Sequence, residues 1–322
     1  FKNPSASIPE LVKAYELIQK LDNQHWKTVK IEEIKKIIAA CSGLYLEAVA
    51  ESQSVSTGNS IKIKLEAINR SSVPMTWKSI QSVPTFSSDF SAISLSNNSL
   101  KNQTIELVVP STLDYSSPYW LKEKGTVGMY RVDEQQNIGI PDVLRQAKIV
   151  FEIEINGVTI PFERNIVYKY NDDVKGEVYQ PLDVIPAVTS AITEKVYVFN
   201  SSKSQTVTVK IKAGKENVNG KIELEIPTNW SVSPKEIPFK LTKKDEEQLA
   251  VFSVSPSKEA SEIVIKSKIT VDNQVFDNEK IEINYSHIYK QIVLKPSEAK
   301  AFKVDIKKKN EKIAYIMGAG DE

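Results

Sequence analysis

The sequence predicts a mainly β protein: tandem immunoglobulin-like antiparallel β-sandwiches with an N-terminal helical hairpin. Two observations carry that prediction, and a third bears on function. From Leu44 onward apolar residues recur with period two rather than 3.6, the mark of strands with one wet face. Turn-forming residues interrupt these runs at short intervals, as in antiparallel sandwiches. Finally, the chain holds two histidines (His25, His287) and one cysteine (Cys41), which reads as scaffold or binding module.

The helical hairpin is assigned to residues 1–43. Ser7-Ile8-Pro9-Glu10 fits a capping box with proline in the first turn, so a helix should start there. Leu11, Tyr15, Ile18 and Leu21 then form one apolar stripe at helical spacing. A second stripe, Ile34, Ile37, Ile38 and Cys41, follows His25-Trp26-Lys27, and Gly43 is the natural stop. Cys41 therefore faces the interior as a small hydrophobe rather than a reactive thiol. Neither helix is long enough to fold alone, so the pair must pack on the first sandwich or on a preceding domain.

The first sandwich is assigned to residues 44–172. Ile61, Ile63, Leu65 and Ala67 alternate with Lys62, Lys64 and Glu66. The clearest hairpin is Phe151–Ile155, then Asn156-Gly157, then Val158–Phe162, because Asn-Gly supplies the two positive φ values of a type I′ turn. Weaker strands are expected near Met75–Ile80, Thr104–Val109 and Thr126–Val132, with an irregular insertion at Tyr115–Leu121. Asn171–Pro186 carries acidic residues, Gly176 and two prolines, and reads as the linker.

The second sandwich is assigned to residues 173–287. Its expected strands are Lys195–Asn200, Thr206–Lys212, Lys221–Ile226, Ile237–Leu241, Leu249–Val254, Ile263–Val271 and Val275–Asn284. No Cys-Trp-Cys pattern is present, so an antibody-type domain is excluded. Residues 288–322 are read as a strand unit of Gln291–Leu294, Ala301–Ile306 and Ile313–Met317. The last run leads into Gly318-Ala319-Gly320 and resembles a buried parallel strand that opens a further, truncated α/β domain. Gly318-x-Gly320 alone is too weak to define a dinucleotide site. The chain starts Phe1-Lys2-Asn3-Pro4 with neither initiator Met nor signal peptide, and both ends read as cut from a longer protein.

Composition narrows the function classes. Lys plus Arg (42) nearly balances Asp plus Glu (41), so no basic field exists to collect the phosphates of a nucleic acid. No apolar run approaches the roughly 20 residues of a membrane span. One cysteine excludes an internal disulfide framework. The Asn-x-Ser/Thr triplets at Asn69, Asn97, Asn102, Asn200, Asn229 and Asn284 are read as chance in a chain rich in Asn and Ser.

No catalytic, metal or cofactor site is expected. His25 and His287 fall in different expected domains, and neither has a second His or an acid three or four residues on. A zinc centre needs about three converging ligands with one position open. Gly-x-Ser-x-Gly, His-x-Glu-x-x-His and glycine-rich phosphate loops are absent from the sequence. Asp172-Asp173 and Asp245-Glu246-Glu247 read as solvated turns, and Lys307-Lys308-Lys309-Asn310-Glu311-Lys312 as a solvated loop. Among the aromatics, Trp77 sits in a strand-like run and Trp230 just before Ser231-Val232-Ser233-Pro234, and both are assigned to the core. Tyr119 and Trp120 lie in a loop, where they either pack over a sandwich end or, if exposed, grip a ligand such as a sugar or another domain.

Trp26-Lys27-Thr28-Val29-Lys30, Pro118-Tyr119-Trp120-Leu121-Lys122, Tyr168–Gln180 and Tyr315-Ile316-Met317-Gly318-Ala319-Gly320-Asp321-Glu322 resemble parts of long bacterial PIG-L (LmbE-like) deacetylase-family proteins. Leu224–Pro256, with Trp230-Ser231-Val232-Ser233-Pro234, also resembles the β-sandwich module attached to some alpha-galactosidases. The family resemblance implies a zinc-dependent hydrolase of N-acetylated amino sugars, whose metal site uses an Ala-His-Pro-Asp-Asp type segment and a later His pair. Neither occurs here, so no catalytic or metal residue transfers to this chain. The resemblance instead implies the non-catalytic middle of such a protein. Its partners would be its own upstream catalytic domain, a downstream α/β domain and a glycan, and its location periplasmic, cell-surface or secreted. The alternative is a carbohydrate-binding or cell-surface interaction module that uses Tyr119 and Trp120.

Overall fold

Alternation becomes architecture most plainly in the strand Ser60–Asn69. Ile61, Ile63, Leu65 and Ala67 are buried while Ser60, Lys62 and Lys64 face water, as a half-covered sheet requires. The computed structural model describes residues 2–83, 86–87, 90–305, 312 and 314–320. These divide into two units, residues 1–187 with 281–293, and residues 188–280 with 294–322.

The first unit opens with a 3-10 turn, Pro4–Ser7, which runs straight into α1 (Ile8–Ile18). The expected capping box does not form: the Ser7 hydroxyl donates to the Pro4 carbonyl at 2.7 Å instead. Ser7 already has helical φ/ψ, so its side chain cannot reach the first free amides of α1. α2 (Gln24–Ser42) is capped by the Asn23 side chain, which accepts from the Trp26 amide at 3.1 Å. It ends at Gly43 in the left-handed conformation, where the expected stop lies. Ile8, Val12, Tyr15, Ile34 and Ile38 join the same apolar core as the sandwich strands, so the hairpin packs on the first sandwich. Leu21 and Ile37 depart from their expected stripes and are exposed. Cys41 is half-buried against the core.

Twelve strands follow in this unit: β1 (Leu44–Ala50), β2 (Ser54–Ser56), β3 (Ser60–Asn69), β4 (Met75–Val83), β5 (Phe86–Ser87), β6 (Ile93–Ser94), β7 (Lys101–Val108), β8 (Lys148–Ile155), β9 (Val158–Asn165), β10 (Val167–Asp172), β11 (Gly176–Pro181) and β12 (Asp183–Ile185). One sheet has the order β11-β10-β1-β3-β7, and the other is β5-β4-β8-β9 with β6 also on β4. A short parallel ribbon pairs β2 with β12. Trp77 stands at the centre with no exposed surface, its ring 5.3 Å from that of Phe151. Each large apolar side chain buried in this way contributes about 1.5–3 kcal/mol. The β8–β9 hairpin turns on Asn156 and Gly157 at φ of 54° and 79°, the geometry that Asn-Gly predicts.

The expected linker is instead part of this unit. Asn171–Pro186 contributes the β10–β11 hairpin and β12. Gly176 has φ of 77°, and the Asp172 carboxylate accepts from the Val174 and Lys175 amides at 2.9 and 2.8 Å. The acid and glycine that resemble linker chemistry therefore build one tight turn. The change between units falls at Ala187/Val188 rather than at 172/173. The expected strand at Thr126–Val132 is absent, and Thr126 and Met129 close only a single isolated bridge. Gly128 turns the chain between them at φ 82°, and Gly125 lets the Met129 carbonyl oxygen approach where a Cβ would lie only 2.6 Å from it.

The second unit holds β13 (Val188–Ile192), β14 (Val196–Phe199), β15 (Gln205–Ala213), β16 (Val218–Glu225), β17 (Ser231–Ser233), β18 (Glu236–Leu241), β19 (Glu247–Ser255), β20 (Ser261–Val271) and β21 (Gln274–Phe276). After β22 (Asn278–Ile283) and β23 (Gln291–Pro296), which pair with each other, β24 (Glu298–Lys303) completes it. Its sheets are β13-β15-β19-β17 and β14-β24-β20-β16-β18, with β21 on β20. Val207, Val209 and Ile211 of one sheet and Ile222, Ile265 and Ile269 of the other are buried. Trp230 is buried as expected, and its ring meets Phe199 edge-on at 5.1 Å.

Part of the strand unit expected over residues 288–322 belongs to the second sandwich instead. β24 lies between β14 and β20 in the second sandwich, parallel to the first and antiparallel to the second. Residues 314–318 form no strand, and Ile316 and Met317 are 94% and 72% exposed. A parallel strand needs both faces covered. Lys307–Glu311 of the expected charged loop, and Ile313, lie outside the described residues.

Candidate functional site: the excursion between β7 and β8

Residues 109–147 leave the sandwich after β7 and return at β8, with two short 3-10 turns and no regular strand. Pro110 bars continuation of the ladder, and Val109 is tied back by its amide to the Asn59 carbonyl at 2.9 Å. Buried Ser116 then grips β12. Its amide donates to the Val184 carbonyl at 2.8 Å, and its hydroxyl accepts from the Val184 amide at 2.9 Å. Pro118 starts the turn Tyr119–Leu121.

The return limb is held by charge. Arg145 donates through Nη1 to the Asp183 carboxylate and to the Leu182 carbonyl. The two side chains are 11% and 4% exposed, so the pair is buried. Burial, followed by a hydrogen bond to Asp142, raises the Tyr289 phenol. Gln146 Nε2 bridges the two limbs by donating to Asp114 Oδ2 at 3.3 Å. Beside this root lies a hollow of about 380 Å³ lined by Val83, Leu113, Arg145, Gln146, Lys148 and Glu163.

Tyr119 and Trp120 are brought together here, both half-buried, with ring centroids 4.9 Å apart at 90°. The Tyr119 hydroxyl donates to the Ile140 carbonyl at 2.9 Å and so pins the far limb of the excursion. Edge-on rings do not form the flat two-ring platform that a sugar chain stacks on. Further out, Val127, Met129, Tyr130 and Ile138 all project into solvent. The alternation of Thr126–Val132 suggested a strand, whereas Gly125 and Gly128 (φ 82°) bend it into an exposed tip. Those two glycines were the signal that could have found it.

The remaining candidates are scattered. His25 is exposed and touches only Trp26 among ring contacts, at 5.2 Å; His287 is exposed and stacks on Tyr285. In the second acidic run Glu246 accepts from the Thr242 amide (2.6 Å), the Thr242 hydroxyl (2.9 Å) and the Lys243 amide (2.9 Å). Those bonds hold its carboxyl below the usual range. Among the described residues, no group of three or more His, Cys, Asp or Glu converges as metal ligands would. No described helix is long and apolar enough to cross a membrane. A second hollow, of about 220 Å³ in the second unit, is lined by Lys266, Ser267, Lys268, Asp277 and Ser297 among others. Chemically, the excursion offers apolar contact and hydrogen bonds, and among its acids Asp114, Asp133 and Asp142 already have partners.

No family model matches the chain, and no curated protein matches it. Among solved structures it is similar to Salmonella alpha-2-macroglobulin reacted with methylamine, at 7% identity and a TM-score of 0.26, over 81% of this chain and 16% of that one. It is similar to red sea bream transglutaminase at 9% identity and a TM-score of 0.30, over 79% of this chain and 34% of that one. A Porphyromonas gingivalis protein of unknown function gives 11% identity and a TM-score of 0.24, over 80% and 99% of the two chains. The chain thus spans 16% of the macroglobulin's length and about a third of the transglutaminase's.

Proposed function

We propose that this chain is a non-catalytic interaction region whose contact element is the excursion 109–147. One observation carries this reading: the root is fixed by the buried Arg145–Asp183 pair and Ser116, while the tip holds Val127, Met129, Tyr130 and Ile138 in water. Exposed apolar side chains on a braced support are a common make-up of a protein-binding surface. In the setting that the phrase resemblances suggest, the tip contacts the zinc deacetylase domain of the same exported polypeptide. A glycan is the less favoured ligand, because the Tyr119 and Trp120 rings stand edge-on and half-buried rather than as a flat exposed pair.

The test is calorimetric titration of this chain with that deacetylase domain, and separately with N-acetylglucosamine oligomers. Saturable binding to the domain, abolished by Val127→Ser/Met129→Ser, is the expected result. Binding to the oligomers alone, or their hydrolysis by this chain, overturns it. A parent gene that encodes no metal-ligand cluster removes the deacetylase setting while leaving the contact element to be tested against its other domains.

A further inference from the structure

An edge strand exposes unpaired backbone groups, and native sheets usually blunt it with proline, interior charge, brevity or cover. Most edges here follow that rule. β9 carries Pro161, β11 ends in Pro181 and β18 contains Pro238. β14 and β17 have only four and three residues, and β13 is buried on both faces. β22 places Glu279, Lys280 and Glu282 within six residues.

β7 is less guarded: it is long, and Glu106 is the single charge in its interior. It pairs with β3 in an uninterrupted register of eight residues, Ala67↔Lys101 through Ser60↔Val108, and terminates its sheet. It contains no proline and no bulge, and its charges are Lys101 at the first position and Glu106, which accepts from the Ser60 hydroxyl. Asn102, Gln103 and Thr104 in its middle are exposed.

Its side chains also form a symmetric set. The outward face reads Asn102, Thr104, Glu106 and Val108, with Leu100 just before the strand, and both Leu100 and Val108 are exposed. A two-fold axis through Thr104 and perpendicular to the sheet keeps outward residues on the outward face. It sets Thr104 beside Thr104, Asn102 beside Glu106, and Leu100 beside Val108 of the second copy. No like charges meet, each carboxylate faces an amide, and the two isolated apolar groups cover each other. On the inward face Gln103 falls beside Ile105 and Lys101 beside Leu107.

We propose that two copies of this chain associate through antiparallel pairing of β7 with β7 about Thr104, which fuses their sheets into one. Closure by a two-fold axis limits the assembly to a dimer. Such a dimer would form whether or not the excursion binds a partner.

Sedimentation velocity over a concentration series should show a reversible monomer–dimer equilibrium. Thr104→Lys, which sets two ammonium groups side by side at the axis, should leave only monomer with its melting temperature unchanged. Thr159→Lys, at an exposed position of β9, should leave the dimer intact. In a Cys41→Ser background, Thr104→Cys should oxidise to a covalent dimer while Asn102→Cys should not. Two residues at position 102 lie about 13 Å apart in this register, and a disulfide spans at most about 7 Å between Cα atoms. Monomer at every concentration, an open-ended series of oligomers, a dimer that survives Thr104→Lys, or equal cross-linking at 102 and 104 would each overturn the proposal.

Discussion

Arg145 and Asp183 meet beneath the surface of the first unit, one at the foot of the excursion and the other in the strand that Ser116 also grips. Removal of either partner strands a charge in a poorly solvated place. Asp183→Ala or Arg145→Ala should therefore cost about 3–5 kcal/mol. The double change Arg145→Met/Asp183→Leu should cost clearly less than the sum, because no lone charge remains. Denaturant unfolding of the three variants checks this, and additive losses would show that the two groups do not act as a pair.

In the second unit, Ser267 occupies the middle of a buried chain of hydroxyls. It lies 2.7 Å from Ser190 Oγ and donates to Ser297 Oγ at 2.6 Å. All three serines are 2% exposed or less. Ser267→Ala deprives both neighbours of a partner at once and should cost about 1–3 kcal/mol, whereas Ser190→Ala at one end should cost less. Equal losses from the two changes would contradict the chain.

Two carboxyls should give opposite pH signatures. Glu246 is held below its ordinary 4.5 by hydrogen bonds from the Lys243 and Thr242 amides. It therefore contributes stability above that value, which fades as pH falls through its lower folded value. The deficit of Glu246→Gln should be full at neutral pH and disappear in strong acid. Glu152 is raised above 4.5 by burial, against which Lys35 acts. The fold thus loses stability as pH climbs past 4.5 and the buried carboxyl must ionise. Lys35 retains its own ion pair with Glu32 at 2.7 Å, so Glu152→Gln should gain melting temperature at neutral pH and match the parent protein in acid. Melting curves between pH 3 and pH 7 (roughly the span of carboxyl titration) decide both.

The excursion tip should be nearly silent for stability. Val127→Ser/Met129→Ser removes side chains that touch little, so its folding energy should change by no more than about 0.5 kcal/mol, while partner binding is lost. A large drop in stability would mean that the tip packs against the unit's own core.

Much of the fold was legible because the strands obey one local rule. Ile61 to Ala67, the Asn156-Gly157 hairpin, the helices and the Gly43 stop all follow from residue periodicity and turn chemistry within a few positions. The second series was legible from Thr206 to Val271 for the same reason. Three features were not. Asp172 and Gly176 look alike in a linker and in a tight hairpin, and only the pairing of β10 with β11 tells them apart. β24 reads as any short apolar run, and its place between β14 and β20 depends on residues far back in the chain. Within the excursion, Tyr119 and Trp120 stood out by residue type. Arg145 and Asp183 did not, since they lie 38 positions apart and no local pattern links them.

The central position of β24 has a consequence for biosynthesis. The last strand of the second sandwich fills the gap between the first strand of its sheet and β20. Ile281–Val293, which belong to the first unit, emerge from the ribosome before it does. Neither unit can be completed in simple N-to-C order, so the nascent polypeptide must hold an unfinished sheet open until residue 303 clears the exit tunnel, a window in which chaperone capture would matter most.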